Sequence, residues 1–412
     1  MTAPSLADSD PEVAGLVEAE RLRQARTISL VASENFASRA VREAAGSVLT
    51  NKYAQGYPGA RHYPDCGAVD AVEEAARTRA RSLFRADHAN VQPSSGALAN
   101  VAVYQALLRP GESVLAMDPA VGGHETHGDP HHASGKYHRF SFYGVDASGR
   151  INLAEVRRRA RAVRPRMIIA GGCLYPRSTP VGEFVGIARE AGSLLMVDMA
   201  HFAGFVAAGL HENPCPVADV VTSTTHKTLR GPRGGLILCR SAHAAAVDAG
   251  VFPGTHGGPL MHIVAAKAVA FAEAATSVFC AYQERVIANA RALCEALASR
   301  GLPSVTGGTD THMVVVDLRT RGVRGDTVEA ALSRAGILSN ACPVPGDPKP
   351  KDGTSGLRLG TPSVTTRGMG AEQMRRLASF VASVVEAPGD GALLERLRGE
   401  VQELAEAFPP PD

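Results

Sequence analysis

Tryptophan is absent from the sequence, and aromatic residues account for only 5% of its 412 residues. The seven cysteines lie scattered between Cys66 and Cys342, and no two of them form a CxxC pair. An odd number of cysteines without paired spacing argues against a disulfide framework and against a zinc site. We therefore expect reduced thiols, a cytoplasmic location and no bound metal.

A strong charge of one sign and long apolar runs are missing as well. The net charge is +2, with 20% charged and 45% hydrophobic residues, so no basic stripe indicates a nucleic-acid partner. No apolar run approaches the roughly 20 residues that a membrane span needs. The N-terminal residues are acidic and lack the basic start and apolar core of a signal peptide. This composition favours an ordinary globular enzyme over a membrane or nucleic-acid-binding protein.

The length predicts two closely packed domains, because 412 residues exceed what one small core fills. We expect an N-terminal helical arm over residues 1–30, a large domain over 31–273 and a small C-terminal α+β domain over 274–412. The arm contains a helix for which Asp10 is the expected N-cap and Pro11 the expected first residue.

Short apolar segments alternate with helical patterns between about residues 90 and 240. Strands rich in Val, Ile and Leu and spaced by helices predict an α/β fold with a mostly parallel sheet covered on both faces. The segments that we interpret as strands are SVLAMD, RMIIAGG, SLLMVDMA, DVVTST and GGLILCR. Ligands bind at the carboxyl ends of such strands, so polar residues there are site candidates.

One candidate is an anion site in NVQPSSGALANV, where a strand leads through Ser95 and Gly96 into a helix. Backbone N–H groups and hydroxyls meet at the N-terminus of that helix and favour a phosphate. Ser95 could instead serve only as the N-cap. The sequence contains neither GxxxxGK[ST] nor GxGxxG, which excludes a P-loop and a dinucleotide fingerprint.

A second candidate group follows the next strands. SLLMVDMAH ends with Asp198 and His201, and DVVTSTTHK ends with Thr224, His226 and Lys227. The carboxylate alone could be a helix cap, a metal ligand or the partner of a protonated ring nitrogen. A lysine at this edge of the sheet, beside a phosphate site and an acid, fits the Schiff-base lysine of a pyridoxal-phosphate enzyme.

Pyridoxal phosphate needs an amine for an imine, an anion site for its phosphate and an acid beside its pyridine nitrogen. Lys227, Ser95 with Gly96, and Asp198 supply these groups. His124 in GGHETHG could stack on the ring or could be an ordinary loop histidine. No carboxylate or cysteine spacing supports the alternative of a metal site in this region, whose histidines are His124, His127, His131 and His132.

Across its whole length the chain resembles the serine hydroxymethyltransferase family, whose members move a one-carbon unit between serine and tetrahydrofolate. The matching segments, in order, are LVASENF, LTNKYAQGYPGARHY, VDMAHFAG, THKTLRGPRGGLIL, VFPGTHGGPLMH and SGLRLGTPSVT. The resemblance implies the aspartate-aminotransferase fold, fold type I, with a mostly parallel seven-stranded sheet in the large domain. It also implies pyridoxal 5'-phosphate as the cofactor.

The resemblance implies roles for individual residues. Lys227 would bond to the cofactor and Asp198 to its pyridine nitrogen, while Arg358 and Ser33 would hold the carboxylate of the amino acid. A planar guanidinium suits that task because it makes two parallel charge-assisted bonds. The other cofactor-side residues are Ser95, Gly96, His124, His201, Thr224 and His226.

Three further residues, Tyr53, Tyr63 and Gly258, would reach the site from a neighbouring subunit. The resemblance therefore implies a homodimer and leaves a tetramer open. It implies no nucleic-acid or membrane partner.

The chain departs from the family mainly at positions that serve folate. Gln55 stands where the family has a glutamate, and glutamine cannot act as a general acid or base near neutral pH. His62 replaces a tyrosine, Glu125 a leucine and Cys342 an asparagine that bonds the pterin. On the cofactor side, Cys173 replaces a serine.

These departures predict weak folate binding, because losing a paired group in a buried site costs about 1–3 kcal/mol. We expect a folate-independent L-threonine aldolase or transaldolase of specialised metabolism, which passes a glycyl unit from threonine or serine to a second aldehyde. The catalytic residues would be Lys227, Tyr63, His124, His201, Thr224 and Gln55. The alternatives are a tetrahydrofolate-dependent serine hydroxymethyltransferase and a weakly catalytic regulatory paralogue.

Overall fold

The computed structural model describes residues 4–347 and 353–411. The predicted arm over 1–30 and the predicted C-terminal domain over 274–412 therefore each include a few residues outside the described part.

The N-terminal segment begins with helices that lie outside the main sheet. Asp10 caps the second helix, since its carboxylate accepts a hydrogen bond from the backbone N–H of Val13 at 3.0 Å, and Pro11 is the first residue. The predicted start of this helix is confirmed. The elements up to residue 84 are α1 (Leu6–Ser9), α2 (Pro11–Arg26), β1 (Ile28–Ser29), α3 (Arg39–Ala45), β2 (Gly56–Tyr57), β3 (Ala60–Arg61) and α4 (Gly67–Phe84).

The centre of the molecule is a seven-stranded sheet covered by helices. Its strands are β4 (His88–Asn90), β5 (Ser113–Met117), β6 (Arg139–Tyr143), β7 (Met167–Ala170), β8 (Leu194–Asp198), β9 (Val220–Thr224) and β10 (Gly235–Cys239). The helices between them are α5 (Gly96–Leu107), α6 (Ala133–Tyr137), α7 (Leu153–Val163), α8 (Val181–Ala191) and α9 (Ala203–Ala207).

The strand order is β4-β10-β9-β8-β7-β5-β6. The pairs from β9 to β6 are all parallel, and β10 is antiparallel to both of its neighbours. The predicted α/β fold with a mostly parallel seven-stranded sheet is confirmed. Because the parallel strands end at one edge, the residues that follow β7, β8 and β9 lie close together there.

The C-terminal part builds a three-stranded antiparallel sheet against long helices. Its elements are α10 (Ala244–Val251), α11 (Met261–Ala274), α12 (Ser277–Ala298), β11 (Met313–Asp317), α13 (Gly325–Arg334), β12 (Ile337–Leu338), β13 (Asn340–Cys342), β14 (Gly356–Gly360), α14 (Pro362–Thr366), α15 (Ala371–Glu386) and α16 (Gly391–Ala407). In this sheet β14 lies between β11 and β13.

Two large apolar cores underlie these two parts of the chain, and α12 spans both. Phe279 and Val286 belong to the core of the main sheet, whereas Leu293 and Leu297 belong to the core of the C-terminal sheet. In addition, β1 pairs in parallel with β12, which joins the end of the N-terminal segment to the C-terminal part. The exact domain boundaries stay a prediction.

Within the described ranges, no single helix is long and apolar enough to cross a membrane. The consecutive helices α11 and α12 reach that length only together, and they are bent by 82°.

Candidate active site

The carboxyl ends of the parallel strands border a cavity of about 590 Å³. Asp198 is the last residue of β8, Thr224 is the last residue of β9, and Arg358 lies in β14 of the C-terminal sheet. The cavity brings together residues that the sequence had suggested for one site, namely Ser33, Ser95, Gly96, His124, Asp198, His201, Thr224, His226, Lys227 and Arg358.

Asp198 is a largely buried carboxylate, with a side chain that is 11% exposed, and it has three neighbouring polar groups. Its Oδ2 accepts a hydrogen bond from Nδ2 of Asn100 at 2.9 Å and lies 3.1 Å from Nε2 of His127, while Oδ1 accepts from the backbone N–H of Ala200 at 3.0 Å. Burial alone would raise the pKa of Asp198, but the hydrogen bonds and the charge of His127 hold it well below its usual range. An ionised acid in this position can keep a bound pyridine nitrogen protonated.

His124 is held in one orientation by Thr126. The backbone N–H of Thr126 donates to Nδ1 of His124 at 3.2 Å, so this nitrogen carries no proton. The hydroxyl of Thr126 lies 2.8 Å from the same nitrogen and accepts from Asn100 at 2.9 Å. Burial lowers the pKa of His124. A neutral imidazole in a fixed orientation is compatible with the predicted stacking on a cofactor ring.

Lys227 lies in the loop after β9, and its side chain is buried. Burial lowers its pKa, while Asp198 acts to raise it and Arg358 and Arg233 act to lower it further. A lowered pKa increases the fraction of neutral amine, which is the form that attacks a carbonyl carbon. The backbone carbonyl of Lys227 accepts from Nδ2 of Asn35 at 3.0 Å, which ties the loop to the segment after β1.

The start of α5 forms one wall of the cavity. Ser95 is the N-cap, since its Oγ accepts from the backbone N–H of Leu98 at 3.0 Å. A Cβ atom at Gly96 would stand only 2.6 Å from Cγ2 of Thr224, so a larger residue does not fit there. The N-cap role is therefore present, and the same residues line the cavity at a helix N-terminus that favours an anion.

Arg358 enters the cavity from β14 and is already partly paired. Its Nη1 donates to the backbone carbonyl of Cys173 at 3.0 Å, and Nη2 donates to Oδ1 of Asn340 at 2.7 Å. Its Nε is buried without a hydrogen-bond partner among the described residues. Ser33 lines the same cavity, so a carboxylate near both residues fits the geometry.

Tyr53, Tyr63 and Gly258 form a separate cluster on the surface. Tyr53 and Tyr63 are 54% and 44% exposed, and their ring centroids lie 4.9 Å apart. A Cβ atom at Gly258 would stand 3.1 Å from Cζ of Tyr53. These residues do not line the Lys227 cavity of their own chain. This placement fits the predicted contribution to a neighbouring subunit.

The hairpin that carries Tyr53, Gln55 and Tyr63 is fixed by a buried ion pair. Nη2 of Arg61 lies 2.7 Å from Oε2 of Glu73, and Nη1 donates to the carbonyls of Ala54 and Gly56 at 2.8 and 2.7 Å. Gln92, next to the start of α5, donates to Oε1 of Glu73 at 2.8 Å. One network of hydrogen bonds and an ion pair therefore joins this hairpin to the segment before Ser95 and Gly96, the predicted anion site.

The substituted positions differ in their surroundings. Glu125 is exposed and lines the cavity, whereas Cys342 is 3% exposed and packs with apolar residues that include Met313 and Val344. Burial raises the pKa of the Cys342 thiol to about 12. The Cys173 thiol donates to the carbonyl of Gly123 at 3.4 Å, and His62 is exposed beside Phe252. The expectation that Cys342 faces a folate receives no support from this position.

Sequence reasoning missed Asn100 and His127 as partners of Asp198. Asn100 follows Gly96 by four residues, so both lie on the same face of α5. An asparagine inside the otherwise apolar stretch GALANVAVY was the available signal. His127 was considered only as part of a histidine cluster, whereas in the structure it contacts the carboxylate.

The residues of the cavity fit pyridoxal phosphate. Ser95 and Gly96 line the cavity at a helix N-terminus that favours a phosphate, Asp198 is ionised and largely buried, and Lys227 offers an amine with a lowered pKa in the same cavity. Each requirement of the cofactor therefore has a matching group.

Comparison with known proteins agrees with this geometry. A sequence model of the family described as serine hydroxymethyltransferase matches residues 6–381. A curated serine hydroxymethyltransferase of Acidobacterium capsulatum is 52% identical over 406 residues, which cover 98% of this chain and 95% of that protein. The chain therefore belongs to the serine hydroxymethyltransferase family of pyridoxal-phosphate-dependent enzymes of fold type I.

Proposed function

We propose that the protein transfers the hydroxymethyl carbon of L-serine to tetrahydrofolate, with glycine as the second product and pyridoxal 5'-phosphate as the cofactor. The observation that best supports this proposal is that Lys227, Asp198 and Arg358 line one cavity. The curated relative that is 52% identical over nearly the full chain bears the name of this activity. It favours this reaction over the folate-independent aldol reaction that the substitutions had suggested.

In this reaction each residue of the cavity would have a separate role. Lys227 would hold the cofactor, Asp198 would keep a proton on its pyridine nitrogen, and Arg358 with Ser33 would orient the carboxylate of the amino acid. The cofactor would supply an electron sink for the bonds broken at the α-carbon. His124, held by Thr126, would restrict movement of the ring.

A folate-independent L-threonine aldolase or transaldolase is the second candidate, because Gln55 cannot exchange the proton that a glutamate would. The other substitutions favour it less than the sequence suggested. Cys342 lies in an apolar cluster, and the charge of Glu125 is exposed to solvent. The third reading, a weakly catalytic regulatory paralogue, conflicts with the complete set Lys227, Asp198 and Arg358 in one cavity.

We also infer a homodimer, with a tetramer left open. The exposed residues Tyr53 and Tyr63 lie beside a hairpin that a buried ion pair holds in place. Because burying two charges carries a desolvation penalty, we infer that the fixed position of this hairpin serves a contact with another chain. A second copy of the chain would cover them and place them at its own cavity.

All seven cysteines are free, in agreement with the predicted cytoplasmic location.

The function is tested by two parallel assays of the purified protein. L-Serine with tetrahydrofolate should yield methylene-tetrahydrofolate, and L-threonine without folate should release acetaldehyde at least about tenfold more slowly, a difference of about 1.4 kcal/mol in the barrier. The result that would replace the proposal is dominant threonine cleavage without folate, together with a new β-hydroxy amino acid when a second aldehyde is added.

The variant Gln55→Glu separates the two candidates further. If the protein works with folate at reduced efficiency, restoring a proton carrier should raise the folate-dependent rate. Glu125→Leu is the matched variant at the rim of the cavity, and it should change the Michaelis constant for tetrahydrofolate rather than the turnover number. A threonine-cleaving transaldolase would instead lose transfer to the second aldehyde in Gln55→Glu.

A further inference from the structure

Three residues at a regular spacing lie in one row along helix α5. Gly96 is the first residue of the helix, Asn100 follows four residues later, and Tyr104 follows after four more. Residues four positions apart lie above one another on the same face of a helix. Gly96 lines the cavity at the predicted anion site, and Asn100 donates to Asp198. Tyr104, the third residue of the row, has no role in the reaction described above.

Tyr104 is buried, and its hydroxyl has a defined partner. The residue is 2% exposed, and its hydroxyl donates to the backbone carbonyl of Thr126 at 3.0 Å. Burial raises the pKa of Tyr104 well above its usual value, and the negative charge of Asp198 acts in the same direction. The phenol therefore keeps its proton and acts as a donor. Among the described residues, no other group donates to the carbonyl of Thr126.

Thr126 in turn contacts the imidazole of His124 through two groups. The backbone N–H of Thr126 donates to Nδ1 of His124 at 3.2 Å, and Oγ1 of Thr126 lies 2.8 Å from the same nitrogen. A backbone N–H can only donate, so Nδ1 carries no proton. Because burial lowers the pKa of His124, the ring is neutral and its one proton lies on Nε2. The tautomer and the orientation of this ring therefore depend on where Thr126 is held.

Helix α5 holds Thr126 at two points. Nδ2 of Asn100 donates to Oγ1 of Thr126 and to Oδ2 of Asp198, in each case at 2.9 Å. One turn further along the helix, Tyr104 donates to the carbonyl of the same threonine. The helix that begins at the predicted anion site therefore also fixes the acid Asp198 and the loop that carries His124.

We propose that Tyr104 is a positioning residue that holds His124 against the ring of the bound cofactor through Thr126. The hydroxyl of Tyr104 fixes the carbonyl of Thr126, and Thr126 fixes the Nδ1 edge of the imidazole. Tyr104 does not line the cavity, so its effect on a bound ligand passes through His124, which does. This role rests on the proposed function only in taking pyridoxal phosphate as the ligand of the cavity.

Tyr143 is the matched control for Tyr104. It is also buried, and its hydroxyl donates to a backbone carbonyl, that of Ile169 in β7, at the same distance of 3.0 Å. Neither Tyr143 nor Ile169 lines the cavity. Tyr104→Phe and Tyr143→Phe each remove one buried hydroxyl from a bond of the same kind. Both variants should therefore lower the melting temperature by similar amounts, and only Tyr104→Phe should affect the cofactor.

The first test measures the release of pyridoxal phosphate from the holoenzyme, followed by the absorption of the bound cofactor. The release rate should rise about three- to tenfold in Tyr104→Phe, because the carbonyl of Thr126 loses its donor. In Tyr143→Phe it should stay within about twofold of the wild type. Equal rates in the wild type and in Tyr104→Phe, or equal increases in both variants, would overturn the proposal. A wild-type protein that binds no pyridoxal phosphate would instead refute the proposed function.

The second test observes the tautomer of His124 by nitrogen NMR of the holoenzyme labelled with ¹⁵N-histidine, with His124→Asn used to assign the signal. Nδ1 of His124 should be an unprotonated acceptor in the wild type and in Tyr143→Phe. In Tyr104→Phe its signal should shift toward that of a protonated nitrogen, since Thr126 is held less firmly. A protonated Nδ1 in the wild type, or an identical signal in the wild type and Tyr104→Phe, would leave Tyr104 with a packing role alone.

Discussion

The guanidinium of Arg358 is held in one orientation by hydrogen bonds within the chain. Two of its nitrogens already bond to Cys173 and Asn340, which hold the guanidinium in place, while Nε remains without a partner in the described part of the chain. Arg358→Lys should weaken binding of glycine or L-serine by more than about tenfold, because a charge-assisted bond contributes roughly 1.5–3 kcal/mol and lysine cannot bind in two parallel bonds.

Binding of the amino acid would be followed by titration of the cofactor spectrum. Arg319→Lys is the control, since Arg319 pairs with Asp317 on the surface at 2.6 Å. Unchanged binding in Arg358→Lys would place the carboxylate elsewhere in the cavity.

The burial of His312 makes the stability of the folded protein depend on pH. Its pKa is about 3 in the folded protein and near 6.5 in the unfolded chain, because burial disfavours the charged ring. Between these values the unfolded chain binds more protons, so stability is lost as pH falls below about 6.5. At about pH 5 the expected loss from this residue is about 2 kcal/mol.

Urea unfolding near pH 7 and near pH 5 measures this loss. The decrease should be smaller in His312→Gln than in the wild type, and unchanged in His131→Gln, whose imidazole side chain is 97% exposed. An equal decrease in His312→Gln and in the wild type would show that other groups dominate the acid response.

At the scale of elements, α11 is anchored to the main sheet by Lys267. This side chain is 1% exposed, and its Nζ donates to the carbonyls of Val91, Pro93 and Gly235 at 2.6 to 2.8 Å. Burial lowers the pKa of Lys267 to about 7, with Glu73 acting in the opposite direction. Val91 and Pro93 lie between β4 and α5, and Gly235 is the first residue of β10, so the lysine holds the segment that leads into the predicted anion site.

Lys267→Met should therefore destabilise the protein by about 3–5 kcal/mol, since it removes three hydrogen bonds to buried carbonyls, of which only that of Pro93 has a second donor, the backbone N–H of Gly235 at 2.9 Å, among the hydrogen bonds described. Lys136→Met, at an exposed position of α6, is the matched control and should have little effect. Urea unfolding measures the stability, and retention of pyridoxal phosphate after dialysis reports on the anion site. A stable Lys267→Met variant that keeps its cofactor would contradict the anchoring role.

At the scale of the whole molecule, the separation of Tyr53 and Tyr63 from the Lys227 cavity predicts shared sites. Lys227→Ala and Tyr63→Phe should each be poorly active alone, because each removes a different part of every site. In a mixed dimer, one cavity would combine Lys227 of one chain with Tyr63 of the other and be complete.

Random remixing of equal amounts should thus restore about a quarter of wild-type activity, since half of the dimers are mixed and each has one complete site. Sedimentation would establish the dimer independently. Absence of any recovery on mixing, with mixed dimers demonstrated, would show that Tyr63 acts within its own chain.

Much of the architecture was accessible from the sequence because local patterns carried it. The strands at SVLAMD, RMIIAGG, SLLMVDMA, DVVTST and GGLILCR are β5, β7, β8, β9 and β10. Buried parallel strands are short apolar runs, which a sequence displays directly. The edge strand β6 was missed because RFSFY is only half-buried and mixes polar with aromatic residues.

The sequence by itself determined most strands of the main sheet, the cap of α2 and the group of polar residues at the carboxyl ends of the strands, because these depend on neighbours along the chain. Only the tertiary structure decided that Asn100 and His127 hold Asp198, that His312 stacks on His201 and that Cys342 lies in an apolar cluster. These contacts join segments far apart in the sequence, and they depend on how helices, strands and loops pack together in the folded chain. No local pattern specifies that packing, since it follows from the burial of both cores at once.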